Sequence, residues 1–458
     1  MAMFTGVKTT YRTLGYDHKV VRKRPSTHKS AEKLFGVLSW AQEAGLKTGI
    51  VTTTRLTHAT PAALYAHAAN RDWECDTFVN REKVHSAEPI PSPDEFPDIA
   101  RQMVESAPAN NTDVILGGGL LSFKAVANSS YVGNKWVCQR SDGRDLIKEW
   151  KAKKAAQGGG QFVSDLQGLK AAKANKPLLG VFSETHLPYE YQRPSSVPSL
   201  SDMTETAIEL LHRDDPGFFL MVEGGRIDHA HHKAQGKIAL DETLALDQAV
   251  QKALDTLEKL NIREETLVIV TADHGHTMTL PGYPARGADI NGFLGKNEID
   301  GKLETPMVYA NGPGGKSTHL VKDGQCSRVD LGARNIKDMK YVFPAPFPRY
   351  EESHGSEDVG LWASGPLNFL FHRTHEQSYI GHVLAFSLCI GHYKDNQWCR
   401  QGQTSRLSGR SDNVVVPVVS ALSIIGIVIL LVVIWKKTRK GPLTFGRSRR
   451  SQDPETMT

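Results

Sequence analysis

Two apolar runs of strand character each end in a cluster of carboxylates and imidazoles. Residues 217–222 lead into EGGRIDHAHH (223–232), and residues 266–271 lead into DHGH at 273–276. A third histidine, His354, precedes another apolar segment. Asp228 and His232 are four residues apart, so on a helix they share one face and can bind one cation. A lone histidine is more often structural, but three such clusters favour metal binding.

Strand-like and helix-like patterns alternate along the chain. Strands are predicted at 47–54, 113–116, 177–182 and 305–310, and helices at 31–44, 203–211 and 239–260. This alternation predicts an α/β fold whose mostly parallel central sheet has helices on both faces. Ligands of such sheets gather at the carboxyl ends of the strands, where the clusters fall. Pro61 is predicted to begin a helix that carries Tyr65, His67 and Arg71.

The C-terminal part of the sequence predicts attachment to a membrane. Residues 414–435 form a 22-residue run without charge, long enough to cross a bilayer as one helix. Residues 402–413 read as a polar linker, and residues 436–458 as a basic cytoplasmic tail. We therefore expect a single-pass plasma-membrane protein whose first 401 residues are extracellular.

The net charge does not indicate a nucleic-acid partner. The tail, residues 436–458, has seven basic and two acidic side chains, which accounts for the whole net charge of +5. The preceding 435 residues are therefore balanced, and no basic face for nucleic acid is predicted.

Further motifs accompany these clusters in a fixed order. They are TTRLTHATP at 53–61, YAHAANR at 65–71 and ILGGG at 115–119. Together they resemble the alkaline phosphatase family, of the animal, membrane-bound type, from about Thr5 to about Cys399. The resemblance implies a homodimeric hydrolase of phosphate monoesters that works through a phosphoserine intermediate. Two neighbouring zinc ions would stabilise the attacking and leaving oxygens of the displacement.

The resemblance also implies the roles of individual side chains. It implies two zinc ions and one magnesium ion per subunit. The first zinc would be bound by Asp228, His232 and His354, and the second by Asp273 and His274. The magnesium would be bound by Thr60 and Glu223. Arg71 would bind two phosphoryl oxygens with its planar fork. His58 would orient the magnesium site without binding the ion. We expect no ligand role for His229, His231 or His276.

Two functional groups of the family have no counterpart in this sequence. The nucleophile lies in an Asp-Ser-Ala/Gly-x-Thr segment just before the equivalent of residues 2–8, and an aspartate that bridges the second zinc and the magnesium lies further upstream. The start, MAMFTGVK, also lacks the pattern of a signal peptide. We expect a sequence that begins at an internal methionine of a longer protein. The alternative is a truncated, inactive form, and in either case the 458-residue chain itself should be inactive.

The domain boundaries follow from the same comparison. Residues 1–401 would form the phosphatase domain, and residues 282–352, rich in glycine and proline, would be the insert near the dimer axis. A disulfide between Cys389 and Cys399 resembles one in animal relatives, a Cys75–Cys138 pair is a further expectation, and Cys326 is left over. Asn110 and Asn128 begin glycosylation triplets.

Two other functions compete with this assignment. One is a membrane-anchored pseudophosphatase, and the other is a related two-metal phosphodiesterase or sulfatase. Arg71, together with Thr60 and Glu223, favours phosphate monoesters. Ser183 and Val197 stand where many vertebrate members have carboxylates, which argues against a calcium site. Glu184 would supply a carboxylate there only if the alignment shifts by one residue.

Overall fold

The computed structural model describes residues 1–85, 95–212 and 217–399 of the 458-residue chain. The chain divides into two compact units, Met1–Asp395 and Asn396–Thr458. The predicted linker, membrane helix and tail, at 402–413, 414–435 and 436–458, lie outside the described residues. Among the residues that are described, no helix is both long and apolar enough to cross a bilayer.

Five parallel strands form the central sheet. In chain order they are β1 (Lys47–Arg55), β2 (Val114–Gly118), β3 (Gln161–Val163), β4 (Leu178–Val181) and β5 (Phe218–Glu223). Their order across the sheet is β3-β4-β2-β1-β5, and all four pairings are parallel. In the last pairing Thr52 lies beside Glu223, which fixes a hydroxyl against a carboxylate at the carboxyl end of β5. The predicted parallel sheet is confirmed.

Twelve α-helices occur in the described residues: α1 (Ala2–Thr5), α2 (Val37–Glu43), α3 (Ala59–Ala62), α4 (Asp76–His85), α5 (Ile99–Glu105), α6 (Leu120–Phe123), α7 (Leu146–Ala155), α8 (Leu166–Lys170), α9 (Leu200–Leu211), α10 (Arg226–His232), α11 (Gly236–Lys259) and α12 (Ser378–Ser387). Because side chains alternate along a strand, neighbouring residues of β1 face different helices. Ile50 belongs to the buried cluster that contains Trp150 of α7, and Val51 to the one that contains Met203 of α9. Helices therefore cover both faces of the sheet, as predicted.

The remaining strands form two-stranded ladders: β6 (Val268–Thr271), β7 (Met278–Thr279), β8 (Gly295–Lys296), β9 (Leu303–Glu304), β10 (Val308–Tyr309), β11 (Asn311–Gly312), β12 (His319–Lys322), β13 (Gln325–Arg328), β14 (Phe347–Pro348) and β15 (Leu361–Ser364). Of the predicted strand 305–310, only β10 forms. The predicted insert has a buried cluster of its own, in which Tyr309 and Phe343 pack against Ala234, between α10 and α11. This packing ties the insert to the helices that follow β5.

Two helix predictions were wrong in their extent. The helix predicted at 31–44 begins only at Val37, because Leu34 N–H donates to Gly15 O and Lys33 bridges to Tyr16. The helix predicted from Pro61 ends at Ala62. Residues beyond it pair instead with the chain near Leu14, since Ala68 and Leu14 exchange backbone hydrogen bonds of 2.9 Å. Local helical spacing was outweighed by these long-range backbone contacts.

The cysteine expectations agree with the structure. Cys75 and Cys138 form a disulfide, Cys389 and Cys399 are both disulfide-bonded, and Cys326 is free and exposed.

The two glycosylation triplets differ in access. Asn110 is only 6% exposed, so the folded protein hides it, whereas Asn128 is exposed.

Candidate metal centre

Three chain segments meet beyond the carboxyl ends of β5 and β6. β5 ends at Glu223, and α10 begins three residues later. β6 ends at Thr271, just before the Asp273–His276 segment. His354 reaches this segment through an antiparallel bridge between His276 and His354. The three predicted clusters are therefore brought together in space.

Asp228, His232 and His354 form a compact triangle of ligand atoms. Asp228 Oδ1 lies 3.3 Å from His232 Nε2 and 3.3 Å from His354 Nε2, and the two Nε2 atoms are 3.2 Å apart. Ligands at the usual zinc distances are about 3.3 Å apart along a tetrahedral edge. One face of such a tetrahedron is therefore already in place, and the donors fit zinc.

The charge on Asp228 is stabilised by its neighbours. Burial disfavours the carboxylate, but the imidazoles of His232, His276 and His354 donate to it and hold its pKa well below the ordinary value. The pKa of His232 is raised in turn, because hydrogen bonding to Asp228 outweighs burial. This concentration of imidazoles around one carboxylate is the electrostatic pattern of a cation site.

Asp273 and His274 lie beside this triangle. His274 Nε2 is 3.3 Å from Asp273 Oδ2 and 3.9 Å from Asp228 Oδ1. The rings of His274 and His354 stack with centroids 3.6 Å apart. Asp273 and His274 can thus bind a second cation next to the first.

Glu223 sits in a pocket of hydroxyl groups. Thr52 and Thr54 both donate to Glu223 Oε2, the latter at 3.2 Å, and Thr60 is hydrogen-bonded to the same carboxyl. Burial raises the pKa of Glu223, against the hydrogen bonds from Thr52 and Thr60. Carboxylate and hydroxyl oxygens are the donors that magnesium prefers, so the predicted pair, Thr60 and Glu223, fits that ion.

Arg71 and His58 lie against each other at the same site. Arg71 Nη2 is 3.3 Å from His58 Nε2 and donates to it. A neutral His58 then has its proton on Nδ1, a buried atom without a hydrogen-bond partner among the described residues. Burial, then Arg12, lowers the pKa of Arg71.

Two further residues contact the predicted ligands: His276, for which no ligand role is expected, and Glu352, which belongs to none of the motifs. His276 Nε2 is 2.9 Å from Asp228 Oδ1, and its Nδ1 donates to Glu352 Oε2 at 2.6 Å. Burial disfavours the imidazolium, but these two carboxylates raise the pKa of His276 to about 9. His276 belongs to both groups of potential ligands found in the described part of the chain, and Glu352 to one of them. The sequence could have indicated His276, because it belongs to the DHGH motif. For Glu352 the only indication is its position two residues before His354.

Three imidazoles that burial keeps neutral lie beside Arg71. His58, His186 and His229 pack with ring centroids 4.2 to 5.4 Å apart. Burial lowers the pKa of all three.

Glu184 would be a calcium ligand only if the alignment with the family shifts by one residue. It accepts a hydrogen bond from Ser129 Oγ at 2.5 Å, and it belongs to neither group of potential metal ligands among the described residues.

Comparison with known proteins gives this centre its context. The family model described as "Alkaline phosphatase" matches residues 1–390. Alkaline phosphatase 4 of Drosophila melanogaster is 39% identical over 415 residues, which cover 86% of this chain and 66% of the fly protein. Alkaline phosphatase of Gadus morhua is 39% identical over 398 residues, with 85% and 79% covered. The membrane-bound alkaline phosphatase of Bombyx mori is 36% identical over 395 residues, with 85% and 69% covered.

A solved structure shows the same fold. The alkaline phosphatase from the Antarctic bacterium TAB5 superposes with a TM-score of 0.52 at 21% identity, and the match covers 85% of this chain and 82% of that one. The chain thus spans 66% of the length of the fly relative and 79% of the cod relative. Because the family match extends over nearly all described residues, the chain belongs to the alkaline phosphatase family.

Proposed function

We propose that this chain is the metal-binding part of a hydrolase of phosphate monoesters. The main support is the triangle of Asp228 Oδ1, His232 Nε2 and His354 Nε2, whose edges of 3.2 to 3.3 Å fit a tetrahedral zinc ion. Asp273 and His274 would hold a second zinc, and Thr60 and Glu223 a magnesium. When bound, these cations would stabilise negative charge on the reacting oxygens of a phosphoryl transfer.

Arg71 would bind the phosphoryl group. Its planar guanidinium can donate to two non-bridging oxygens, and because the side chain is half-buried, water competes less for these contacts. The hydrogen bond with His58 holds the guanidinium in place. Thr52 and Thr54 would likewise orient Glu223 toward its cation.

The nucleophile would be a serine that these 458 residues do not contain. An Asp-Ser-Ala/Gly-x-Thr segment is absent from the sequence, as is a second aspartate that would bridge two of the cations. A form with that segment at its start would be the active enzyme. The 458-residue chain alone would bind metal without turnover.

We further propose that the phosphatase domain, residues 1–401, lies outside the cell. Residues 414–435 would span the plasma membrane, residues 402–413 would link the two parts, and residues 436–458 would lie in the cytoplasm. A membrane-bound relative from Bombyx mori supports attachment. Exposed aromatic side chains in the insert 282–352, at Tyr283, Phe347 and Tyr350, are consistent with a homodimer formed there.

Metal content tests the assignment of ligands. We expect Asp228→Ala and His232→Ala each to lower bound zinc by about one ion per chain, because each removes a corner of the triangle. The control is Asp247→Ala, an exposed aspartate on α11. Elemental analysis of the purified chain gives the count. Equal zinc in Asp228→Ala and Asp247→Ala would show that the triangle does not bind the ion.

Turnover of a chromogenic phosphate monoester tests the reaction. The 458-residue chain should be no faster than its Arg71→Ala variant, and a form extended by the serine segment should be active and sensitive to chelators. Robust turnover by the 458-residue chain that survives Arg71→Ala and Thr60→Ala would contradict the proposal. Zinc binding without turnover in the extended form would instead identify a pseudophosphatase, and preference for a diester or sulfate ester a related hydrolase.

A further inference from the structure

Glu352 joins the chain segments that supply the zinc ligands. We propose that Glu352 is a positioning residue, which orients His276 and His232 and thereby fixes Asp228 and His232 for the first cation. The inference rests on the proposed function, because it requires a cation at Asp228, His232 and His354. It adds a residue to which neither the motifs nor the expected ligand set gives a role.

The side chain of Glu352 is buried and fully engaged. Its relative exposure is 1%. Oε1 accepts from Thr277 N–H and from Thr277 Oγ1, both at 2.6 Å, and Oε2 accepts from His276 Nδ1 at 2.6 Å. Three donors converge on this carboxylate, so its orientation is fixed from both sides. The imidazole of His276 is held accordingly.

His276 transmits that orientation to a ligand. With Nδ1 bound to Glu352, the opposite nitrogen, Nε2, lies 2.9 Å from Asp228 Oδ1. The ring therefore stands between a buried carboxylate behind it and the predicted ligand in front. Partners of this kind behind a metal centre orient the ligands and tune their basicity.

The main chain of Glu352 holds the second ligand. Its N–H donates to His232 O at 2.8 Å, and its carbonyl accepts from His232 Nδ1 at 2.6 Å. A metal ligand must be a neutral imidazole, and a neutral His232 that donates from Nδ1 has its lone pair on Nε2, the atom that faces His354 and that donates to Asp228 only in the protonated ring. One residue thus sets the tautomer of His232 through its backbone and the direction of His276 through its side chain.

A purely structural role would not require a charge at this position. Burying a carboxylate costs several kcal/mol before its partners compensate, and an apolar side chain of similar size often stabilises a fold as well or better. Here the partners of the carboxylate are Thr277 and His276, both next to the centre. A buried carboxylate at position 352 is therefore better explained by its role in positioning the metal ligands than by support of the fold.

Zinc affinity separates this role from simple support of the fold. The 458-residue chain and its Glu352→Gln variant are titrated with zinc against a competing chelator, and with cobalt while visible absorption is recorded. Gln can still accept from Thr277, but its NH₂ group opposes the donor on His276. We expect the zinc Kd to weaken by roughly 10-fold or more and the cobalt spectrum to change. The matched control, Glu351→Gln, removes the same charge from the exposed neighbouring position and should change neither.

Each outcome bears on the inference. Equal Kd values and cobalt spectra for wild type, Glu352→Gln and Glu351→Gln would overturn it while leaving the proposed function intact. No zinc binding by the wild-type chain would overturn both. If Glu352→Gln does not fold, Thr277→Val removes only the Oγ1 hydrogen bond and should weaken zinc binding in the same direction, by a smaller factor. An unchanged Kd in Thr277→Val would then count against Glu352.

Discussion

Glu242 is a buried carboxyl on α11 that belongs to none of the predicted ligand sets. It is 4% exposed, and Glu242 Oε1 accepts the backbone N–H of Glu190 at 2.6 Å. Burial raises its pKa to about 7, although the Glu190 N–H and Arg226 act in the opposite direction. The hydroxyl groups of Tyr189 and Tyr191, on the segment that Glu242 contacts, are buried without a partner among the described residues. Few groups there stabilise an ionised Glu242.

The raised pKa predicts how stability depends on pH. Between pH 4.5, the ordinary value, and about pH 7, the unfolded chain releases this proton before the folded chain does. The free energy of unfolding should therefore fall as pH rises through that window, by up to about 3 kcal/mol from this group. Glu242→Gln retains an acceptor for Glu190 and should stabilise the chain more at pH 8 than at pH 5.

Urea unfolding of wild type and variant at both pH values measures the difference. Glu258→Gln, an exposed residue of the same helix, is the control and should be nearly neutral at each pH. A Glu242→Gln effect that is the same at pH 5 and pH 8 would contradict the raised pKa.

For single residues, the sequence predicted the proposed metal ligands better than the residues that position those ligands. Asp228, His232 and His354 were recognisable from their motifs, and the structure places their ligand atoms within 3.3 Å of one another. The role inferred for Glu352 depends on hydrogen bonds to residues 75 and 76 positions away in the sequence. No local pattern reports such contacts.

Helix α9 shows how a short polar signal fixes the start of an element. Ser199 Oγ accepts from Asp202 N–H at 3.0 Å, and Asp202 Oδ2 accepts from Ser199 N–H at 3.0 Å. The pair forms a capping box, with Asp in the place of the more usual Glu. The apolar period predicted a start at residue 203, but this box begins the helix at Leu200.

Removing the capping side chain should destabilise the protein measurably. We expect Ser199→Ala to lower the free energy of unfolding by about 1 kcal/mol, because the N–H of Asp202 loses its acceptor at the first turn. Thermal or urea unfolding measures the loss. Ser201→Ala, inside the same helix and without a capping role, is the control. If the two variants were equally stable, the box would not contribute.

The ends of strands and helices were predictable where the local pattern of apolar residues also determines which residues are buried. Strands 113–116 and 177–182 are confirmed as β2 and β4 to within two residues at each end. The helix expected from Pro61 was not, since the segment up to Arg71 is held by backbone hydrogen bonds to residues 12–14. Those bonds lie outside any window of local periodicity.

For the whole molecule, alternation of strands and helices was sufficient to predict a parallel sheet between two helix layers. It could not predict the strand order β3-β4-β2-β1-β5. That order depends on the edge of the growing sheet to which each new strand is added after its helical connection. Of the short strands between 278 and 348, only β10 lies within a predicted strand, 305–310, because segments of two to four residues have too little periodicity to be recognised.

The arrangement across the membrane is testable on intact cells. When the chain is expressed behind an export signal, an epitope after Thr458 should be detected only after permeabilisation, because the basic tail follows residues 414–435. An epitope inserted at Gly133, an exposed turn with open space around it, should be accessible without permeabilisation. Release of the protein from cells by a phospholipase that cleaves lipid anchors, with loss of the tail epitope, would contradict the arrangement.

The triangle at the metal centre also has a consequence for biosynthesis. His232 and His354, whose Nε2 atoms are 3.2 Å apart, are separated by 122 residues of sequence. A growing chain therefore releases Asp228 and His232 well before the third corner has been synthesised. Contacts between such distant residues close late, after more local structure has formed. A cation that needs all three proposed ligands should therefore bind only after His354 has been synthesised and its contact with His232 has formed.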